Sequence, residues 1–140
     1  MISGRARVTP KLATPKIPVS WGELIDKITI LEIKRAKLRG ETARANVERE
    51  LALLRGAAGA VIDYGALAPL QQQLKALNQE IWDVEEKLRR KETAQTFDQD
   101  FIALARKVYS RNDARSAVKR RINELLSSEL VEEKSHRAVD

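Results

Sequence analysis

The sequence predicts an all-α fold: an antiparallel helical bundle or coiled-coil hairpin of three long helices and one short helix. Three observations predict it. Ala, Leu, Glu, Lys, Arg and Gln dominate and aromatics make up only 4% of the chain, the composition of helices packed on helices. Apolar residues recur at spacings of three and four from Leu67 to Leu88, which is the period of a helix seam rather than a strand. Ser20-Trp21-Gly22-Glu23 and Thr96-Phe97-Asp98-Gln99 each have the form of a capping box, a serine or threonine followed three residues later by Glu or Gln, which starts a helix.

The first helix opens at Ser20, with Val19 and Leu24 as its hydrophobic staple. At about 100° per residue, Trp21, Leu24, Ile28, Leu31 and Leu38 share one stripe. Ile30 and Ile33 fall nearly opposite, beside Asp26 and Lys37, with Thr29 and Glu32 at the borders. A helix apolar on two sides needs cover on both, which makes this one the central element. The Ile30 and Ile33 side is more than four helices of so small a chain are expected to cover, so a homodimer is predicted.

Gly40 ends that helix, and Ala43, Val47, Leu51 and Leu54 suggest a second, short one. The glycine- and alanine-rich stretch from Gly56 to Gly65 reads as a loop or frayed end. It lacks the Lys-Ser/Thr of a phosphate-binding loop. The third helix carries the seam Leu67, Leu70, Leu74, Leu77, Ile81, Val84 and Leu88, tolerates Pro69 in its first turn, and is ~39 Å long at 1.5 Å per residue. The second capping box opens a last helix, expected to run to about Leu130. Its inward stripe begins with Phe97, Phe101, Leu104, Ala105 and Val108 and resumes with Ile122, Leu126 and Leu130.

Between those two runs the stripe reads Asn112, Arg115 and Lys119, about two turns of polar residues where a core should continue. Burying an unpaired cation costs several kcal/mol, so something must answer these charges. Asp26 or Glu32 of the central helix could do so, as an internal ion-pair network that fixes helix register. A small anionic ligand could do so as well. Asp26, Glu32, Asn112, Arg115 and Lys119 are therefore the candidate site, and both readings stand at this level.

At 140 residues the chain is the usual size of one domain. Residues 19–134 form that domain, residues 1–18 a flexible basic arm and residues 135–140 a flexible tail. The arm holds three of the four prolines and Arg5, Arg7, Lys11 and Lys16 without an acid. The net charge of +6 permits weak association with anions. The cations of the last helix face several directions and follow no helix-turn-helix pair, which disfavours nucleic acid as a partner. With no cysteine and a single histidine, His136, neither thiolate chemistry, a Ser-His-Asp triad nor a histidine-rich metal site can be assembled. No cofactor or metal is implied and catalytic residues cannot be assigned. The absence of a secretory signal core or a membrane-length apolar run places the chain in the cytoplasm.

The stretches Ser20 to Lys34, Asn112-Asp113-Ala114-Arg115, Lys119 to Leu126 and Ser128 to Lys134 resemble a bacterial family of short proteins of unknown function. Its members are often encoded beside surface-polysaccharide glycosyltransferases. The resemblance covers nearly all of Val19 to Lys134 and implies a binding or scaffold protein, an accessory to cell-envelope glycosyltransferases, with such an enzyme or another protein as partner. It carries over no catalytic residue. It expects an aromatic where this chain has His136. A weaker likeness, through Ile25-Asp26, Ile28, Leu31, Arg35 and Leu38, is to the all-helical chorismate mutases, and implies instead a metal-free enzyme acting on a small anionic substrate. The arginine expected upstream of Ile25 is absent there, its place held by Ser20-Trp21-Gly22-Glu23.

Overall fold

A computed structural model describes residues 9–135. Four α-helices account for the fold, with no strand among the described residues: α1 (Trp21–Lys37), α2 (Glu41–Ala58), α3 (Ala68–Thr93) and α4 (Gln99–Leu125). A 3-10 turn, Gly59–Asp63, joins α2 to the approach of α3. His136 and the arginines at positions 5 and 7 lie outside the described residues. Residues 9–20 carry no regular secondary structure and are exposed up to Ser20.

α1 is central, as its two apolar sides require. Ile25, Ile28, Asp26 and Thr29 are fully buried and Leu31 and Ile33 nearly so, because α2, α3 and α4 all pack on it. Ile33 is thus covered within one chain and Ile30 is half-buried. The apolar side from which a dimer was expected is covered at Ile33 and partly covered at Ile30. α2 is longer than its thin core face suggested, 18 residues held by Val47, Leu51 and Ala58.

α3 and α4, 26 and 27 residues long, form an antiparallel hairpin. Leu67, Leu74, Ile81 and Val84 of the seam are buried, and Leu70 and Leu77 pack against the core. α3 has the expected extent, whereas α4 departs from expectation at both ends, for definable reasons. α3 closes with a Schellman motif: Gln95 has φ 55°, its N–H donates to Glu92 O at 3.1 Å, and the Thr96 N–H donates to Lys91 O at 2.9 Å. Thr96 is consumed in that closure, so Asp98 caps α4 instead, accepting from the Phe101 N–H at 2.9 Å. Its carboxyl is held below the ordinary carboxylate range by that bond and then by Lys91. α4 stops at Leu125 rather than near Leu130. Ser127 adopts φ 51°, and the Ser127 and Ser128 N–H groups return to Glu124 O and Asn123 O at 3.3 and 2.8 Å. Leu130 and Phe97, both expected on the inward stripe, are therefore beyond it and about half exposed.

Candidate functional site

The polar gap of α4 lies against the buried side of α1. Asp26 is completely buried. Arg115 grips it with two donors, Nε to Oδ1 at 2.9 Å and Nη2 to Oδ2. Such a fork on a carboxylate is the strongest pairing side chains offer. Asn78 of α3 donates from Nδ2 to Asp26 Oδ1 and to Thr29 Oγ1, both at 2.9 Å. The Thr29 hydroxyl donates to the Asp26 carbonyl at 2.8 Å. Asn112 accepts from Arg115 Nη1 at the long distance of 3.4 Å. The bond to Asp26 raises the guanidinium's pKa further, more than burial lowers it.

One turn along α4, Lys119 is 8% exposed and lies between two carboxylates, with Glu23 and Glu132 oxygens both at 2.7 Å from Nζ. Burial would lower the ammonium's pKa, and the two hydrogen bonds outweigh it and raise it. The same contact holds the Glu132 carboxyl below its ordinary range. Glu23 is thereby drawn away from the backbone of Ser20. Only half of the expected capping box forms, the Glu23 N–H donating to Ser20 Oγ at 3.1 Å.

The rest of the cap comes from the far end of the chain. The Gly22 N–H donates to Asn123 Oδ1 at 2.7 Å, and the Trp21 N–H donates to Ser128 Oγ at 3.2 Å. The three N–H groups that open α1 are thus all satisfied, two of them by residues more than a hundred positions away. Such proximity requires a glycine. A Cβ on Gly22 would stand 2.5 Å from Lys119 O and 3.0 Å from Asn123 Oδ1.

Of the five residues expected in the site, Asp26, Arg115, Asn112 and Lys119 come together. Glu32 does not. It faces α2 and α3, paired to Arg55 at 2.8 Å and Lys75 at 3.8 Å. Glu32 is six positions beyond Asp26, which at about 100° per residue turns it well away from α4. Sequence reading missed Asn78, Glu23, Asn123, Ser128 and Glu132. Asn78 had a signal, a polar residue beside the α3 seam. Glu132 and Ser128 had none, because their positions depend on where α4 ends.

Arg115 and Lys119 are both answered within the chain, and an open groove of about 300 Å³ adjoins the outer side of Glu23 and Glu132. The cavity beside Lys119, lined by Ser116, Asn123 and Glu132, is about 20 Å³, roughly the room of one water. A larger open groove of about 520 Å³ lies at the other end of the hairpin, between Lys87 and Lys91 of α3 and Asp100 and Lys107 of α4. None of the five candidate residues lines it. Among the described residues no group of three or more His, Cys, Asp or Glu side chains could hold a metal ion. No helix there is long and apolar enough to cross a membrane.

The model of a family of unknown function, DUF6165, matches residues 15–139. The chain belongs to that family. The match contains α1, the whole of α4 and the Glu132 segment, so the junction just described lies inside it. Comparisons with curated proteins and with solved structures gave no match.

Proposed function

We propose that the protein is a non-catalytic helical scaffold that works through its surfaces, and that the Asp26–Arg115 and Glu23–Lys119–Glu132 contacts are its internal lock. The observation that carries this reading is the saturation of the two cations. Arg115 spends its fork on Asp26 and Lys119 is held between two carboxylates, so a dicarboxylate or phosphate would have to displace partners already in place. The runner-up enzyme, of chorismate-mutase type, needs those cations free and a cavity over them. An accessory role beside cell-envelope glycosyltransferases, in the cytoplasm, is the setting we propose. It is supported by the family resemblance.

Thermal melting tests the reading. Wild type with millimolar phosphate, sulfate, chorismate or a nucleotide sugar should melt where it does without them. A rise for wild type that Arg115→Met loses would show a ligand site and overturn the lock.

A further inference from the structure

α1 stops short of the end of the hairpin. Its last residue, Lys37, reaches Asp83 at 3.9 Å, while α3 continues to Thr93 and α4 begins only at Gln99. The stripe of α4 that faces α1 through Asn123, Lys119 and Arg115 continues at helical spacing through Asn112, Val108, Ala105 and Phe101. There no third helix among the described residues lies over it. Around it Ile102 is 47% and Tyr109 60% exposed, and Phe101 meets Phe97 edge to face, their rings 5.2 Å apart. A two-helix projection with a row of uncovered large apolar side chains is a surface made to be covered.

We propose that this protruding end is the interface of a two-fold homodimer, with the Phe101–Tyr109 face of α4 packed antiparallel on the same face of a second copy. This rests on reading the protein as one that works through its surfaces.

The spacing of the apolar residues identifies the occupant. Phe101 and Ile102 stand four and three residues before Ala105, and Val108 and Tyr109 stand three and four residues after it. Two identical antiparallel helices related by a two-fold axis must present such a reversible pattern. With the axis at Ala105, Phe101 and Ile102 of each copy lie against Val108 and Tyr109 of the other. The small residue sits at the crossing, where helix axes approach to ~8–10 Å. A different protein would not require the symmetry. Charge agrees with it. Glu85, Arg89 and Glu92 continue the α3 stripe of Lys75 and Asn78 that faces α1, and none makes an ion pair with a described residue. Bearing both signs, they let a two-fold copy set acid against base. The basic groove of Lys87, Lys91 and Lys107 opens elsewhere on the hairpin and would remain outside the contact.

The test is the mass of the full chain in solution, with variants on the face. Light scattering should give twice the 15.8 kDa of one chain at micromolar concentration. Ile102→Glu and Tyr109→Glu, whose side chains face solvent in one chain, should keep the helical circular dichroism. Each should weaken association by on the order of thirtyfold or more. The chain has no cysteine, so Ala105→Cys supplies one thiol at the axis. On mild oxidation it should form a disulfide-linked dimer, while Leu53→Cys, exposed on α2, should not. A wild-type monomer at high micromolar concentration overturns the proposal. So does a dimer that survives both glutamates, or one that is dissolved by Ile30→Glu instead. The scaffold reading fails by a different observable, the response of melting to anions, so the two failures are distinguishable.

Discussion

Replacing Arg115 with Met removes the partner of a carboxylate that has no access to water. Asp26 is 0% exposed, and after the change it keeps only the Asn78 amide at 2.9 Å. Breaking a buried pair from one side costs about 3–5 kcal/mol, because the remaining charge is uncompensated. Met fills most of the space of the arginine stem, so a cavity adds little. Asp26→Leu is the gentler cut. The Arg115 side chain is 27% exposed and can turn to solvent and Asn112, so the cost there should be about 1–3 kcal/mol. In the double variant no charge is stranded, and Asn78 retains its bond to Thr29. Its loss should be smaller than that of Arg115→Met alone, with a coupling energy of about 2 kcal/mol or more. The assay is urea denaturation of wild type, both single variants and the double, followed by circular dichroism. Additive losses would refute the reasoning, and an Arg115→Met variant as stable as wild type would show that Asp26 is hydrated in solution.

Other consequences are local. Gly22→Ala would place a methyl 2.5 Å from the Lys119 carbonyl, a backbone atom that cannot step aside, so α1 and α4 must part. A loss of about 1–3 kcal/mol is expected, whereas Gly56→Ala, with open space around its Cβ position, should be neutral or stabilising by chemical denaturation. Gln95→Gly and Ser127→Gly relieve left-handed backbone at the two helix ends, and each should raise stability by about 0.5–1 kcal/mol. The Lys119 and Glu132 contact limits the pH range. Glu132 has a folded pKa below its unfolded value, so its contribution is present above the ordinary carboxylate range and is lost as pH falls through the folded value. Lys119 has a raised folded pKa, so its contribution is complete below the ordinary lysine value and is lost as pH rises through the folded one. Lys119→Met should flatten both limbs of the stability profile across titration from acid to alkaline pH; limbs unchanged from wild type would assign them to other groups.

Much of this was legible in the sequence where physics is periodic. The α3 seam, the central position of α1 and the break at Asn112, Arg115 and Lys119 follow from counting residues around a helix. The choice between a ligand and an internal lock did not follow. Nor could the second carboxylate on Lys119 be read, because Glu132 reaches it, as Ser128 reaches the start of α1, only once α4 ends at Leu125. That stop rests on a serine in left-handed conformation, which sequence does not announce as a glycine would. Thr96 misled for the same reason, since Gln95 makes the turn that consumes it. Glu32 was misplaced because a residue at the border of two faces can serve either.

The central claim is that Arg115 already has its anion. The most direct measurement is the Arg115 side-chain Nε–H resonance of the folded protein, identified by its loss in Arg115→Met. With Asp26 as its fixed acceptor, that N–H should be visible and slow to exchange with water at neutral pH. It should stay unmoved as phosphate, chorismate or a nucleotide sugar is added to millimolar concentration. A saturable shift with any of them, or a signal broadened by free exchange with water, would contradict the account.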